Sequence, residues 1–284
     1  KLHAPSYLLI KQLYSQTSSF QKLRFLIGNL KNGKWRPWGK PDLTKDRDYL
    51  FSKKADVLLS PSISLKQIIS KDWKLNIDSI KLLPNPFEAS ADLLNIPATC
   101  MSEGVNILFV GKLNVQKGAH KLAETIPAVK NRFPEVQYTF VGSDGPAPNG
   151  TASMQSYISD RYSHYSGIHF IGPVSLESIP DHLSKADICV FPSLWENFPY
   201  VCLEAMSAGR AIIGSKFGGM QEMLADNAGI LVNPNNTKQI EKAIIKLLEQ
   251  PKLRRDMGEV ARLKVLNNYN HNIVGKDMTK IYHL

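Results

Sequence analysis

From residue 104 onward, short apolar runs alternate with helix-patterned stretches, and no other feature of the chain constrains its fold as strongly. Asn106 to Val110, Val136 to Val141, Ile168 to Ile171, Ile188 to Phe191, Ala211 to Ile213 and Ile230 to Val232 are the strand candidates. Successive strand and helix units of this kind cover both faces of each strand, which predicts a parallel, doubly wound sheet. The clearest helix runs from Thr237 to Glu249, with Ile240, Ala243, Ile244, Leu247 and Leu248 at helical spacing and Asn236 and Gln239 placed as a capping box. One helix is expected from Gly118 to about Arg132, and two more over Lys252 to Asn267 and Asn270 to His283, with Tyr269 near the break. The fold class is therefore α/β, with a complete Rossmann-like domain over residues 104–269.

The first 95 residues read differently. A helical stretch from Tyr7 to Leu30 leads through an aromatic, turn-rich segment (Asn32 to Pro41) to a polar helix ending near Lys54. A strand (Asp56 to Leu59), a short helix (Leu65 to Ile69) and a strand (Ile80 to Leu83) follow. Two or three strands are too few for an independent domain. Residues 1–95 thus read as part of a second Rossmann-like domain, joined through a linker near Phe87 to Gly104, with the helix over 270–284 expected to pack back on it. The chain opens at Lys1 without an initiator methionine, so it is expected to be the C-terminal portion of a longer protein.

With 43% hydrophobic and 21% charged residues, disordered and disulfide-scaffold classes are excluded. Three cysteines without a CxxC pair fit a reducing compartment and offer no zinc framework, so a cytoplasmic location is expected. The net charge of +10 is uneven: residues 1–90 carry 16 basic and 7 acidic side chains, and residues 91–284 carry 19 and 18. A cationic third attracts phosphates or an anionic lipid surface. The stretch from Leu8 to Trp38 suits peripheral contact with an anionic membrane, although its leucines serve equally as packed core. It carries no recognised nucleic-acid motif, and nucleic acid is not expected as a partner.

The most informative segment is Phe191-Pro192-Ser193-Leu194-Trp195-Glu196-Asn197-Phe198-Pro199-Tyr200-Val201-Cys202-Leu203-Glu204. A strand ends at Phe191 and a helix begins near Tyr200, so the loop leaves the carboxyl edge of the sheet, where doubly wound folds bind ligands. Glu196 in the loop and Glu204 about one turn into the helix supply carboxylates that accept hydrogen bonds from sugar hydroxyls. Between them, free N–H groups at a helix start suit a phosphate. Hydroxyl acceptors on either side of an anion site are what a nucleotide sugar requires. A second loop, Gly111-Lys112-Leu113-Asn114-Val115-Gln116-Lys117-Gly118, combines close backbone approach with two cations. It is neither a Walker loop nor a GxGxxG fingerprint. Turns at Gly142 and at Gly172-Pro173-Val174 complete a set of glycine-bearing loops along one edge.

Taken together, the Glu-x7-Glu element with Ala205-Met206-Ser207-Ala208-Gly209, Val110-Gly111-Lys112 with Lys117-Gly118, and Leu83-Pro84-Asn85 resemble the retaining nucleotide-sugar glycosyltransferases of the GT-B fold, family 4. The resemblance covers nearly all of residues 53–284. It implies that Glu196 binds the donor sugar's hydroxyls, that Glu204 binds the ribose, and that Lys112 and Lys117 bind the diphosphate, with Lys112 where the family usually has Arg. It further implies that the backbone at Asn197, Phe198, Pro199, Val201 and Leu203 faces sugar and phosphates. The turn from Gly172 to Val174 would lie against the base, and His3 is the candidate for the family's histidine near the acceptor. Activity would be transfer from a nucleotide-diphosphate sugar to a glycan or lipid-linked acceptor hydroxyl, with retention and without metal or cofactor. Two other readings stand beside it: a non-catalytic nucleotide-binding module, and an Asp-x-Asp metal site at Asp46-Arg47-Asp48.

Overall fold

A computed structural model describes residues 46–98 and 104–282, which form two units. The first unit comprises residues 46–61 and 65–82 of the described chain. It opens with helix α1 (Arg47–Ser52), whose N-terminus is capped by the Asp46 carboxylate accepting from the Tyr49 N–H at 3.0 Å. Asp46 of the Asp-x-Asp string therefore serves as a helix cap. Strand β1 (Leu58–Ser60) pairs in parallel with β2 (Ile80–Leu82), and helix α2 (Ile63–Trp73) buries Leu65, Ile69 and Trp73.

The second unit, residues 62–64 and 83 onward, is built on a six-stranded, wholly parallel sheet. It begins with a short helix, α3 (Ala91–Leu94), followed by β3 (Asn106–Val110). Where one helix was expected over 118–132, two occur: α4 (Ala119–Ala123) and α5 (Ile126–Arg132). Pro127, at the start of α5, has no N–H to continue the ladder, and Thr125 turns its hydroxyl onto the Leu122 carbonyl at 2.7 Å. Next come β4 (Gln137–Val141), α6 (Met154–Tyr162), β5 (Ile168–Gly172), α7 (Ile179–Ser184) and β6 (Ile188–Phe191). Helix α8 (Tyr200–Ser207), β7 (Ala211–Ser215), α9 (Met220–Met223) and β8 (Ile230–Val232) complete the sheet. The chain then runs through α10 (Thr237–Glu249), α11 (Pro251–Asn268) and α12 (His271–Tyr282).

Strand order is β5-β4-β3-β6-β7-β8. Alternate residues of β3, β4, β6, β7 and β8 enter two cores, whereas the edge strand β5 exposes His169 and Ile171 on one face. Ile107, Phe109, Tyr138, Phe140, Ile188, Val190 and Ile213 pack under α4, α5, α6 and α10. Leu108, Val141, Cys189, Phe191 and Ile212 pack under α3, α7, α8, α9 and α11. Burying both faces explains why these strands read as unbroken apolar runs. Helix α10 buries Ile240, Ala243, Ile244, Leu247 and Leu248 as its spacing predicts, and each large member is worth about 1.5–3 kcal/mol relative to exposure. Its expected capping box is half formed. Asn236 accepts from the Gln239 N–H at 3.2 Å, but the Gln239 side chain reaches to the Asn233 N–H at 2.8 Å instead of returning to Asn236.

Candidate active site

In this sheet the strand order reverses between β3 and β6, the one point at which loops diverge to leave a crevice at the carboxyl ends of the strands. The loops after those two strands are the ones the sequence singles out.

The loop after β3 is held from both sides. The Leu113 N–H donates to the Ser143 carbonyl at 2.8 Å, drawing its first half toward the turn after β4. Asn114 then accepts the Lys117 N–H at 2.8 Å and turns the second half toward β6, where the Leu194 N–H donates to the Gln116 carbonyl at 2.9 Å. Gly118 has a φ of +77°, and a Cβ there would overlap the Pro192 carbonyl, so glycine is required for the two loops to touch. The loop after β6 is pinned again on its far side. The Gly219 N–H donates to the Glu196 carbonyl at 2.8 Å, and a Cβ on Gly218 would overlap that same carbonyl.

These restraints bring Lys117 and Glu196, 79 residues apart in sequence, into a direct ion pair between Nζ and Oε1. The two side chains line a small cleft with Gly111, Ser193, Pro199 and Val201, over an apolar floor that includes Phe109 and Phe191. Helix α8 starts at this cleft. Pro199 gives it no side-chain cap, so its first N–H groups point outward without an intrahelical acceptor. A partial positive charge at a helix start, a lysine and a carboxylate thus converge on one small space.

Glu204, fifth in α8, is half-buried and does not line that cleft. Among the described residues its carboxylate has no hydrogen-bond or ion-pair partner, and burial alone raises its pKa above the usual carboxylate value. Lys112 is not brought into the cleft either. It follows the first half of its loop, is exposed, and lays its Cε 3.2 Å from where a Cβ of Gly145 would stand. Gly142 and Gly172 continue the same edge outward: the Gly111 N–H donates to Val141 O at 2.9 Å and the Gly142 N–H to Gly172 O at 2.8 Å. Val174 packs against the core beyond them. Phe198 is buried edge-on against Tyr269, and the Leu203 side chain is wholly buried. Asn197 accepts from Ser62 Oγ at 3.1 Å. His3 lies outside the described residues, as does the stretch from Leu8 to Trp38.

Sequence reasoning missed the segment after β7, Lys216-Phe217-Gly218-Gly219-Met220, although it repeats the strand-then-glycine pattern of the other loops. It also missed Ser193, which lines the cleft. Two arginines behind α8 were unforeseen as well. Arg210, almost wholly buried, donates to the carbonyls of Ala208 and Ala186 at 2.9 Å and to that of Pro97. Arg262 donates to Ser207 O at 2.8 Å and Ile96 O at 2.6 Å. Both therefore neutralise the negative end of the helix whose positive end faces the cleft. Among the described residues, no cluster of three or more His, Cys, Asp or Glu is placed to hold a metal, and no helix is long and apolar enough to cross a membrane.

The family described as glycosyl transferases group 1 matches residues 102–264. An uncharacterised glycosyltransferase of Methanocaldococcus jannaschii is 26% identical over 249 residues, covering 83% of this chain and 62% of that protein. The alpha-D-kanosaminyltransferase of Streptomyces kanamyceticus is 28% identical over 177 residues, covering 62% of this chain and 45% of that protein. The chain thus spans between under half and under two thirds of the length of these relatives. Among solved structures, Anabaena HepE in complex with UDP-glucose superposes with a TM-score of 0.67 at 15% identity, covering 86% of this chain and 68% of that one.

Proposed function

Because the chain belongs to the glycosyl transferases group 1 family and has its GT-B fold, we propose that its second unit binds a nucleotide-diphosphate sugar and serves a retaining sugar transfer to an acceptor hydroxyl. Residues 104–269 are the donor-binding domain, and residues 1–95 contribute part of the acceptor side. The diphosphate lies between Lys117 and the start of α8, the sugar's hydroxyls donate to Glu196, and the ribose hydroxyls donate to Glu204. The base lies toward Gly172 and Val174. Lys112 is assigned a longer-range electrostatic part, consistent with its exposed position beside Gly145. The observation that carries this reading is the convergence of Lys117, Glu196 and an uncapped helix start on one cleft at the reversal point of the sheet.

In the reaction, the bond from the anomeric carbon to the diphosphate breaks as a bond to the acceptor oxygen forms on the same face, and the acceptor's proton passes to the leaving phosphate oxygen. Charge grows on the departing diphosphate, and a preorganised cation and helix start oppose it without reorganisation cost. Neither role requires a metal ion.

Lys117→Ala in a protein carrying a complete acceptor domain tests the reading. Loss of one such donor typically lowers turnover by about 10²–10³-fold, or ~2.7–4 kcal/mol of barrier. Release of nucleoside diphosphate from a panel of UDP, GDP and ADP sugars measures it. Unchanged turnover at saturating donor removes Lys117 from the diphosphate site.

A further inference from the structure

Lys117 and Glu196 are the two groups to which the proposed function gives opposite ends of the donor, and in the structure they hold each other. Among the described residues, neither side chain has another hydrogen-bond or ion-pair partner. We infer that this ion pair is the device by which the site tells the intact donor from the nucleoside diphosphate it releases. The inference rests on the placement of diphosphate at Lys117 and sugar at Glu196 argued above.

The loops cannot separate the pair by sliding apart. Gly118 lies against the Pro192 carbonyl, the Leu194 N–H is bonded to Gln116 O, and Glu196 O is held by the Gly219 N–H. The backbones on both sides are fixed, so the pair opens only by rotation of its side chains. An incoming diphosphate must take the ammonium away from the carboxylate. Glu196, with a side chain only 16% exposed, is then left half-desolvated without its cation. An intact donor restores what was lost, because its sugar hydroxyls donate to the vacated carboxylate. A nucleoside diphosphate has no sugar and restores nothing. The pair therefore taxes the product more than the donor, and its re-formation helps to expel the product.

Lys117 is 32% exposed, so solvent screens the pair and its effect is modest. The discrimination is about two- to fivefold, the range of a partly exposed ion pair.

Titration calorimetry with inorganic pyrophosphate, with UDP, GDP and ADP, and with a sugar-bearing form of each nucleotide, at one fixed salt concentration, tests this on the wild type, Glu196→Gln, Glu196→Ala and Lys117→Met. Thermal melts establish that each variant is folded. Both Glu196 variants are expected to bind pyrophosphate and the favoured nucleoside diphosphate about two- to fivefold more tightly than the wild type. They are also expected to lose most of the preference for the matching nucleotide sugar. Wild-type or weaker affinity in both Glu196 variants overturns the inference while leaving the donor site standing. Equal binding by the wild type and Lys117→Met shows instead that the diphosphate does not sit at Lys117, which overturns the donor placement and the inference with it.

Discussion

Replacing Glu204 by glutamine is expected to make the donor-free protein more stable while loosening its grip on a nucleotide. The carboxylate is half-buried on α8 and has no partner among the described residues. Burial raises its pKa in the folded chain above its unfolded value, so between those two values the folded state binds more protons and stability falls as pH rises. Below both values wild type and variant are equivalent. Above both, the wild type bears the full cost of a poorly solvated charge. For a group only partly desolvated that cost is about 1 kcal/mol, the low end of the range for a buried polar group without a partner. It corresponds to a gain of roughly 2–4 °C in melting temperature for the variant at neutral pH. Donor binding moves the other way. Losing hydrogen bonds from ribose hydroxyls to a charged acceptor costs about 1.5–3 kcal/mol, or roughly 10- to 150-fold in affinity. Melting scans from pH 4 to pH 8, paired with nucleotide titration at pH 7.5, read both effects. A variant that melts lower than wild type at neutral pH, or a gap that widens toward acid, refutes the argument from burial. Unchanged nucleotide affinity refutes the ribose assignment.

Gly218→Ala is expected to cost about 2–4 kcal/mol in denaturant unfolding, because its φ of +83° is strained for alanine and the new methyl overlaps the Glu196 carbonyl. Nucleotide binding should fall with it, since the loop bearing Glu196 must move; wild-type stability would show that the two loops are not in register. Arg210→Ala is expected to lose about 3–5 kcal/mol, because the carbonyls of Ala186, Ala208 and Pro97 lose a buried donor, and a loss below about 1 kcal/mol in urea melts would contradict that role. Cys189 and Cys202 are wholly buried, and burial pushes the Cys189 thiol up to about 12 and Cys202 higher still. In a Cys100→Ser background both should therefore resist thiol reagents at pH 8 until the chain unfolds, and rapid labelling of the native protein would contradict their placement.

Much of the fold was legible because a strand buried on both faces leaves an unbroken apolar run. Asn106–Val110, Ile188–Phe191 and Ile230–Val232 have in the structure the limits that their sequence shows. The break between α4 and α5 was not legible from periodicity, because Leu122, Ala123, Ile126 and Val129 keep a helical spacing straight through it and all four are buried. Pro127 was its only signal. At the site, the loops after β3 and β6 were readable from strand, glycine and charge in order. Which lysine enters the cleft was not. Lys112 and Lys117 share one loop, and only the bond from Leu113 to Ser143 and the Asn114 turn send one outward and the other inward. Gly218 and Gly219 escaped notice because they act through the absence of a side chain, and Arg210 because a buried arginine bonded to carbonyls leaves no pattern in the chain around it.

The most direct test is a crystal structure of the chain with the nucleoside diphosphate that stabilises it best. Phosphate oxygens are expected within hydrogen-bonding distance of Lys117 Nζ and of the first N–H groups of α8, with Glu204 on the ribose. A nucleotide bound elsewhere, such as in the cleft lined by Asn149, Tyr157 and Arg161, with Lys117 still paired to Glu196, would contradict this placement.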